Sequence, residues 1–114
     1  MFFKTLLGTP AGSASDNIHI LNASEYKAAI TKENVQLVDI RTPNEYRTGY
    51  IPNAVNIDYF QPRIFAEKFE KLDKNKAVYI YCRSGSRSRG AALQLIKMGF
   101  TEIYDLKGGY MQWH

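Results

Sequence analysis

The sequence contains only one cysteine, Cys82, among its 114 residues. A single thiol cannot form a disulfide within the chain or supply the paired cysteines of a structural zinc site. Long apolar runs are also missing, because no stretch approaches the ~18–20 residues that a membrane-spanning helix needs. The two histidines, His19 and His114, have no ligand partner at metal-binding spacing. We therefore expect no disulfide, no bound metal and no integral membrane segment.

Charge of one sign is concentrated at one place only. The chain has 15 basic and 11 acidic residues, a net charge of +4, and 45% of its residues are hydrophobic. These are ordinary values for one globular domain. The exception is Arg83, Arg87 and Arg89, which fall within seven residues directly after Cys82. The tyrosines at 77–81 are interpreted as packing residues, so a nucleic-acid partner is not predicted.

Residues 1–16 are expected to form a flexible N-terminal leader, and residues 17–114 the folded domain. A secretory signal needs an apolar core of about 7–15 residues. Lys4 interrupts the apolar residues at the start of the chain, and a Gly-Thr-Pro sequence ends them. The small residues at 11–15 resemble a cleavage site but follow too short a core. The sequence therefore favours a cytoplasmic location, with export as the alternative.

Short apolar stretches alternate with amphipathic ones along the domain. Strands are predicted at 18–20, 36–40, 55–57, 77–81 and 102–104. Helices are predicted from Asn22 to about Thr31, from Thr42 to Gly49, at 64–72 and at 88–98. The first two begin with capping boxes, in which Asn22 pairs with Glu25 and Thr42 with Glu45. This alternation indicates an α/β fold with a central, mostly parallel sheet of about five short strands and helices on both faces.

Cys82 directly follows the strand at 77–81, which is rich in β-branched and aromatic residues. Ligands of an open parallel sheet bind beyond the carboxyl ends of its strands, where this cysteine lies. The next residues are small or cationic, so that their amides can turn inward and form an anion-binding nest. The N-terminus of the following helix adds partial positive charge. Together these features favour the thiolate of Cys82 at neutral pH.

The alternative interpretation is a buried Cys82 that serves only as a small apolar side chain. The sequence favours a reactive cysteine, because three arginines and three serines follow a buried strand and core packing does not require them. Cys82 is therefore the predicted nucleophile. The predicted substrate-binding loop consists of Arg83, Ser84, Gly85, Ser86, Arg87 and Ser88.

Four short motifs carry a resemblance to a known family. They are residues 38–45, 49–54, 81–88 and 108–113. In this order they resemble the single-domain rhodaneses, a sulfurtransferase family, over roughly residues 18–113. The resemblance implies a rhodanese-like fold and a Cys82 that carries sulfur as a persulfide.

The match extends to individual positions outside the cysteine loop. Asp39, Arg41 and Glu45 match family positions and are interpreted as a scaffold of ion pairs that holds the loop and the strand ends. A direct contact of Arg41 with the substrate is the alternative. Tyr50 stands where the family usually has histidine, at a position regarded as structural, so the departure bears on local packing more than on activity.

The reaction that the resemblance implies has two halves and should be ping-pong. The Cys82 thiolate attacks the outer sulfur of thiosulfate or a similar anionic donor, and sulfite leaves. An acceptor, either cyanide, a thiol or a sulfur-acceptor protein, then takes the sulfane sulfur. Arg83 and Arg87 are expected to attract the dianionic donor. No metal or organic cofactor is required.

Two other functions compete with this interpretation. Cysteine-based phosphatases and arsenate reductases hold their anion with a Cys-x₅-Arg loop, but here the sixth residue after Cys82 is Ser88, and the arginines lie one place before and after it. A sulfur-carrier or protein-docking module with little small-molecule turnover is the other alternative. A persulfide that passes only to a specific partner protein would distinguish it.

Overall fold

The structure, a computed structural model, describes residues 16–32 and 34–114. Of the leader predicted over residues 1–16, residues 1–15 lie outside the described residues. The boundary between leader and domain therefore stays a prediction.

Five strands and four α-helices alternate along the described chain. The strands are β1 (Ile18–Leu21), β2 (Gln36–Asp39), β3 (Val55–Asn56), β4 (Val78–Tyr81) and β5 (Ile103–Leu106). The helices are α1 (Ala23–Ile30), α2 (Pro43–Arg47), α3 (Pro62–Phe69) and α4 (Ser86–Lys97). A 3₁₀ turn over Gly109–Gln112 follows β5, and we call it the backing turn.

The strands form one sheet in the order β1-β5-β4-β2-β3, and every pair in it is parallel. The predicted α/β fold is therefore confirmed. All four residues of β4 are buried. Because parallel strands end at the same edge, the residues that follow β2 and β4 meet there.

Helices cover both faces of the sheet, as expected. On one face, Val38 and Ile80 pack with apolar residues of α3 and α4. On the other face, Leu37 and Tyr79 pack with Tyr26 of α1. Strands alternate their side chains between the two faces, so Cys82 points to the same face as Ile80.

Both predicted capping boxes are present. In the first, the Asn22 side chain accepts from the Glu25 amide at 2.8 Å and the Glu25 carboxylate accepts from the Asn22 amide at 3.0 Å. In the second, Thr42 and Glu45 make the same exchange, and Pro43 occupies the first helical position. The second box matters for the site, because it fixes where the carboxylate of Glu45 lies.

Several predicted boundaries are wrong by about two residues. The last helix begins at Ser86 and not at residue 88, because Gly85 takes the N-cap position without a side-chain cap. The helix expected at 64–72 covers Pro62–Phe69, since proline starts it. The last strand covers Ile103–Leu106 and not 102–104, because each of its four residues pairs with β1.

Among the described residues, no helix is long and apolar enough to cross a bilayer. Within the same part of the chain, no three histidine, cysteine or acidic side chains gather where they could hold a metal ion.

Candidate active site

The candidate nucleophile lies in a short loop between β4 and α4. Cys82 follows β4 directly and is fully buried. The loop turns at Gly85, whose φ of 103° lies in the left-handed region, and α4 begins at the next residue. Arg83 and Ser84 are exposed between these two buried positions. The loop therefore has a buried sulfur at its base and polar side chains on its outer surface.

Three hydrogen-bonding groups surround the sulfur of Cys82. The backbone amides of Gly85 and Ser88 donate to Sγ at 3.1 and 3.4 Å, and the Ser88 hydroxyl oxygen lies 3.6 Å from it. The inward-facing amides expected from the sequence are therefore present at two positions. Because hydrogen bonds to a charged form stabilise it, this arrangement suits an anionic sulfur.

The backing turn supports the loop from behind. The amide of Tyr110 donates to the carbonyl of Cys82 at 2.8 Å, and the amide of Met111 donates to the carbonyl of Arg83 at 3.0 Å. The turn therefore holds the carbonyl groups of the first two residues of the loop. The backing turn is thus part of the machinery that orients the loop.

Arg87 is held by two neighbours. Its Nη1 and Nη2 donate to the two carboxylate oxygens of Glu45 at 2.9 and 3.0 Å. Its guanidinium also lies 5.0 Å from the ring centroid of Phe60. A bidentate pair fixes the orientation of the arginine and balances its charge. The expectation that Arg87 attracts the donor stays a prediction, with Glu45 now identified as its partner.

Arg83 has a different environment. Its side chain is exposed, and it makes no ion pair with any described residue. Ser84 and Ser86 are exposed as well. Of the two arginines predicted to attract an anionic donor, Arg83 is therefore the one whose charge is not balanced by a carboxylate in the described part of the chain.

Arg41 and Asp39 form the buried part of the expected scaffold. Arg41 Nε donates to Asp39 Oδ1 at 2.9 Å, and Nη2 donates to Oδ2 at 2.6 Å. Nη2 also donates to the carbonyl of Gly49 at 2.7 Å, and the guanidinium lies 4.3 Å from the ring centroid of Tyr110. The pair thus ties the end of β2 to the backing turn. These contacts support the structural interpretation of Arg41.

Tyr50 occupies the position at which the sequence departs from the usual pattern. It is 45% exposed and stacks on Tyr46, with ring centroids 4.1 Å apart. Tyr46 in turn donates its hydroxyl proton to the carbonyl of Ala54 at 2.7 Å. Tyr50 thus packs beside α2, and the expectation that the departure bears on packing more than on activity stays a prediction.

Sequence reasoning missed two side chains that lie beside the loop. Phe60 is 62% exposed and forms the apolar neighbour of Arg87. Asp105 on β5 is buried, and its Oδ1 has no hydrogen-bond partner among the described residues. The signal for Asp105 is its place in an otherwise apolar strand, Ile-Tyr-Asp-Leu, at a position that faces the core.

The Glu45–Arg87 pair predicts a specific loss of stability in acid. Hydrogen bonding from Arg87, together with that from Thr42, lowers the pKa of Glu45 from 4.5 to about 2, despite an opposing effect of burial. A carboxyl whose folded pKa is lowered stabilises the fold above its unfolded pKa and loses that contribution as pH falls through the folded value. We expect wild type to lose about 2–3 kcal/mol of its free energy of unfolding between about pH 5 and pH 2 through this pair.

Urea unfolding at several pH values measures this loss. Glu45→Gln should be less stable than wild type by about 2 kcal/mol at neutral pH and should show a smaller decrease in acid. Glu67→Gln removes an exposed partner of Arg63 at 3.8 Å and serves as the matched control, with no change expected. Equal acid profiles for wild type and Glu45→Gln would contradict the prediction.

The sequence of the chain matches a known protein family and several known proteins. The family model for the rhodanese-like domain matches residues 22–114. The chain is similar to the uncharacterized protein YqhL of Bacillus subtilis, with 41% identity over 93 residues that cover 82% of this chain and 70% of that protein. It is also similar to the thiosulfate sulfurtransferase GlpE of Coxiella burnetii, with 33% identity over 84 residues that cover 74% of this chain and 76% of that protein.

Two further similarities concern a longer relative and a solved structure. The tRNA uridine(34) hydroxylase of Cytophaga hutchinsonii is 36% identical over 95 residues, which cover 82% of this chain but only 30% of that protein. The crystal structure of a rhodanese-like domain protein from Staphylococcus aureus superimposes with a TM-score of 0.74 at 30% identity, covering 84% of this chain and 91% of that one.

Proposed function

The chain belongs to the rhodanese-like family, and from its Cys82 loop we propose that it is a sulfurtransferase that moves sulfane sulfur from thiosulfate or a similar anionic donor to a thiophilic acceptor. The observation that carries the proposal is the pair of amides, from Gly85 and Ser88, that donate to the sulfur of Cys82. A persulfide is an anion at the same place, so preorganised donors stabilise it without reorganisation.

The first half-reaction forms the persulfide. The Cys82 thiolate attacks the outer sulfur of thiosulfate, the S–S bond of the donor breaks, and sulfite leaves with the electron pair. Two negative charges arrive with the donor and two leave with sulfite, so the sulfur group on Cys82 keeps a single negative charge. Arg83, exposed at the loop surface, offers positive charge to the arriving donor and the departing sulfite.

The second half-reaction returns the thiolate. The acceptor attacks the outer sulfur of the persulfide, the S–S bond to Cys82 breaks, and its electron pair returns to the cysteine sulfur. The added S–S bond of about 2 Å moves that sulfur away from the base of the loop. Cyanide, a small thiol or a sulfur-acceptor protein then takes it. Cys82 is the only cysteine of the chain, so the acceptor thiol must come from another molecule.

Two further predictions from the sequence are part of this proposal. We propose that the reaction uses no metal or organic cofactor, since each step above is a nucleophilic displacement at sulfur. We also propose a cytoplasmic location, with export as the alternative.

The carrier alternative has one observation in its favour. In the longer relative named as a tRNA uridine(34) hydroxylase, the matched region is 30% of the protein, so a domain of this kind also occurs as part of a larger chain. A carrier would form the persulfide as readily but would give it up only to a specific partner.

The proposal is tested by thiosulfate:cyanide turnover and by the intact mass of the protein after thiosulfate treatment. We expect thiocyanate production and a gain of one sulfur atom per chain. A mass gain without thiocyanate would favour the carrier. The absence of both signals in a folded protein would overturn the proposal. Hydrolysis of a phosphate ester at a comparable rate would favour the phosphatase interpretation.

A further inference from the structure

An apolar groove of about 350 Å³ lies between α4 and β1, the strand at one edge of the sheet. Ile18 and Ile20 of β1 line one side of it, and Leu93 of α4 lines the other together with Arg89. Ile20 is 55% exposed and Leu93 is 47% exposed, so the groove leaves apolar surface uncovered that a further segment of chain would bury.

A buried carboxyl group lines the same groove. Asp105 of β5 is only 5% exposed and pairs with Ile20 in the sheet register, so both side chains lie on the face that α4 covers. Its Oδ1 has no hydrogen-bond partner among the described residues, which is rare for a buried oxygen. Arg89 is exposed and forms no salt bridge with Asp105 in this part of the chain. The groove therefore lacks both an apolar cover and a donor for the carboxylate.

The start of the chain carries both missing features within six residues. Phe2, Phe3, Leu6 and Leu7 are large and apolar, and Lys4 is the cation between them. A lysine has an apolar stem that can lie along an apolar wall, and its ammonium group offers three hydrogen-bond donors. This composition complements a groove with apolar walls and one unpartnered carboxylate oxygen.

We propose that residues 2–7 bind in the groove between β1 and α4 of their own chain, with Lys4 as the partner of Asp105. The apolar side chains of the segment cover Ile20 and Leu93. The ammonium group of Lys4 donates to the Asp105 carboxylate. A hydrogen bond between charged groups is stronger than one between neutral groups, and it removes the cost of a buried oxygen without a donor.

The connection between the segment and the domain is long enough for this arrangement. Eight residues, 8–15, separate Leu7 from Asp16, where the described chain begins. Eight residues can span up to about 26–29 Å, whereas the four residues of β1 extend over only about 13 Å. The connection contains two glycines and a proline, which are typical of turns. A short connection of this kind also gives the segment a high effective concentration at the groove.

The proposal is tested by NMR on the full chain with isotope-labelled methyl groups. We expect nuclear Overhauser contacts from the methyl groups of Leu6 and Leu7 to those of Ile20 and Leu93. Val55 is the matched control, because it is 51% exposed but lies on β3 at the opposite edge of the sheet. The absence of contacts between the segment and the groove, or equal contacts with Val55, would overturn the proposal.

A second copy of the chain is the competing occupant of the groove. A mixture of two differently labelled preparations separates the two cases, because only contacts between chains then cross from one label to the other. Contacts within one chain, unchanged on dilution, would support the proposal. Contacts found only between chains would overturn it and identify the groove as an interface between copies.

Urea unfolding of variants tests the pairing of Lys4 with Asp105. Lys4→Gln should lower the urea midpoint of the full chain by about 0.5 M, and the same change made in Asp105→Asn should have almost no further effect. Lys71→Gln, at an exposed position after α3, is the control and should leave both midpoints unchanged.

The outcome of this cycle is decisive for the pair. An equal loss from Lys4→Gln in both backgrounds would overturn the pairing, as would coupling of Asp105 to Arg89→Gln instead. If Asp105→Asn does not fold, the methyl contacts of the wild-type chain still decide whether the segment lies in the groove. None of these measurements uses a sulfur donor, so their failure would leave the proposed sulfurtransferase activity untouched, and a protein without that activity would leave this inference untouched.

Discussion

Cys82→Ser is expected to abolish sulfur transfer, with a loss of thiocyanate production of at least ~10³-fold. The serine hydroxyl stays protonated at neutral pH, so it cannot attack the donor sulfur, and its oxygen is smaller and less polarisable than the thiolate. The amides of Gly85 and Ser88 would still point into the loop but would have no anionic sulfur to stabilise. Persulfide formation, measured by intact mass after thiosulfate treatment, should be lost together with turnover.

The control must show that the loop is still folded. Cys82 is fully buried, and serine is nearly the same size, so the free energy of unfolding should change by less than about 2 kcal/mol. Ser24→Ala, at an exposed position of α1, should keep full activity. Substantial thiocyanate production by folded Cys82→Ser would show that the reaction does not pass through a Cys82 persulfide.

Gly109→Ala is expected to cause a large loss of stability. Gly109 has a φ of 68°, and a Cβ atom there would lie 2.4 Å from the carbonyl oxygen of Arg83 and 2.6 Å from that of Cys82. These are backbone atoms that the sheet and the backing turn hold in place. Left-handed strain alone costs of order 1–3 kcal/mol, and the clash adds to it, so we expect a loss of at least ~3 kcal/mol.

Urea unfolding measures this loss, and Gly99→Ala is the matched control. Gly99 also has a positive φ, of 103°, but a Cβ atom there would meet only the Cδ atom of Lys74 at 3.6 Å. Its substitution should cost about 1–2 kcal/mol, from backbone strain alone. Equal losses for the two variants would show that the backing turn moves aside freely. If Gly109→Ala folds under mild conditions, its turnover should fall as well, because the carbonyls of Cys82 and Arg83 would shift.

The central part of the site was predictable because it is local in sequence. Cys82 ends a buried strand, and small or cationic residues lead into a helix, so a loop with inward amides follows from the chain alone. The capping box at Thr42 also follows from a four-residue pattern. The helix start was missed because Gly85 takes the N-cap position, where it offers no side-chain signal.

The contacts that complete the site could not be predicted in the same way. Glu45 and Arg87 lie 42 positions apart, and no local pattern indicates that they meet. The ends of β2 and β4 bring them together, since these strands are parallel neighbours. Asp105 shows the same limit: its neighbours in sequence are apolar, and only the sheet register places it beside Ile80 and near the loop.

The backing turn has a consequence for the order in which the site is assembled during synthesis. The ribosome releases the cysteine loop before β5 and the backing turn, yet β1 pairs with β5, and the carbonyls of Cys82 and Arg83 are held by residues 110 and 111. A nascent chain that ends at Lys107 carries every residue of the loop but lacks the contacts that hold the carbonyl groups of Cys82 and Arg83. The reactive sulfur therefore acquires its environment only after β5 and the backing turn have been synthesised and the sheet can fold around it.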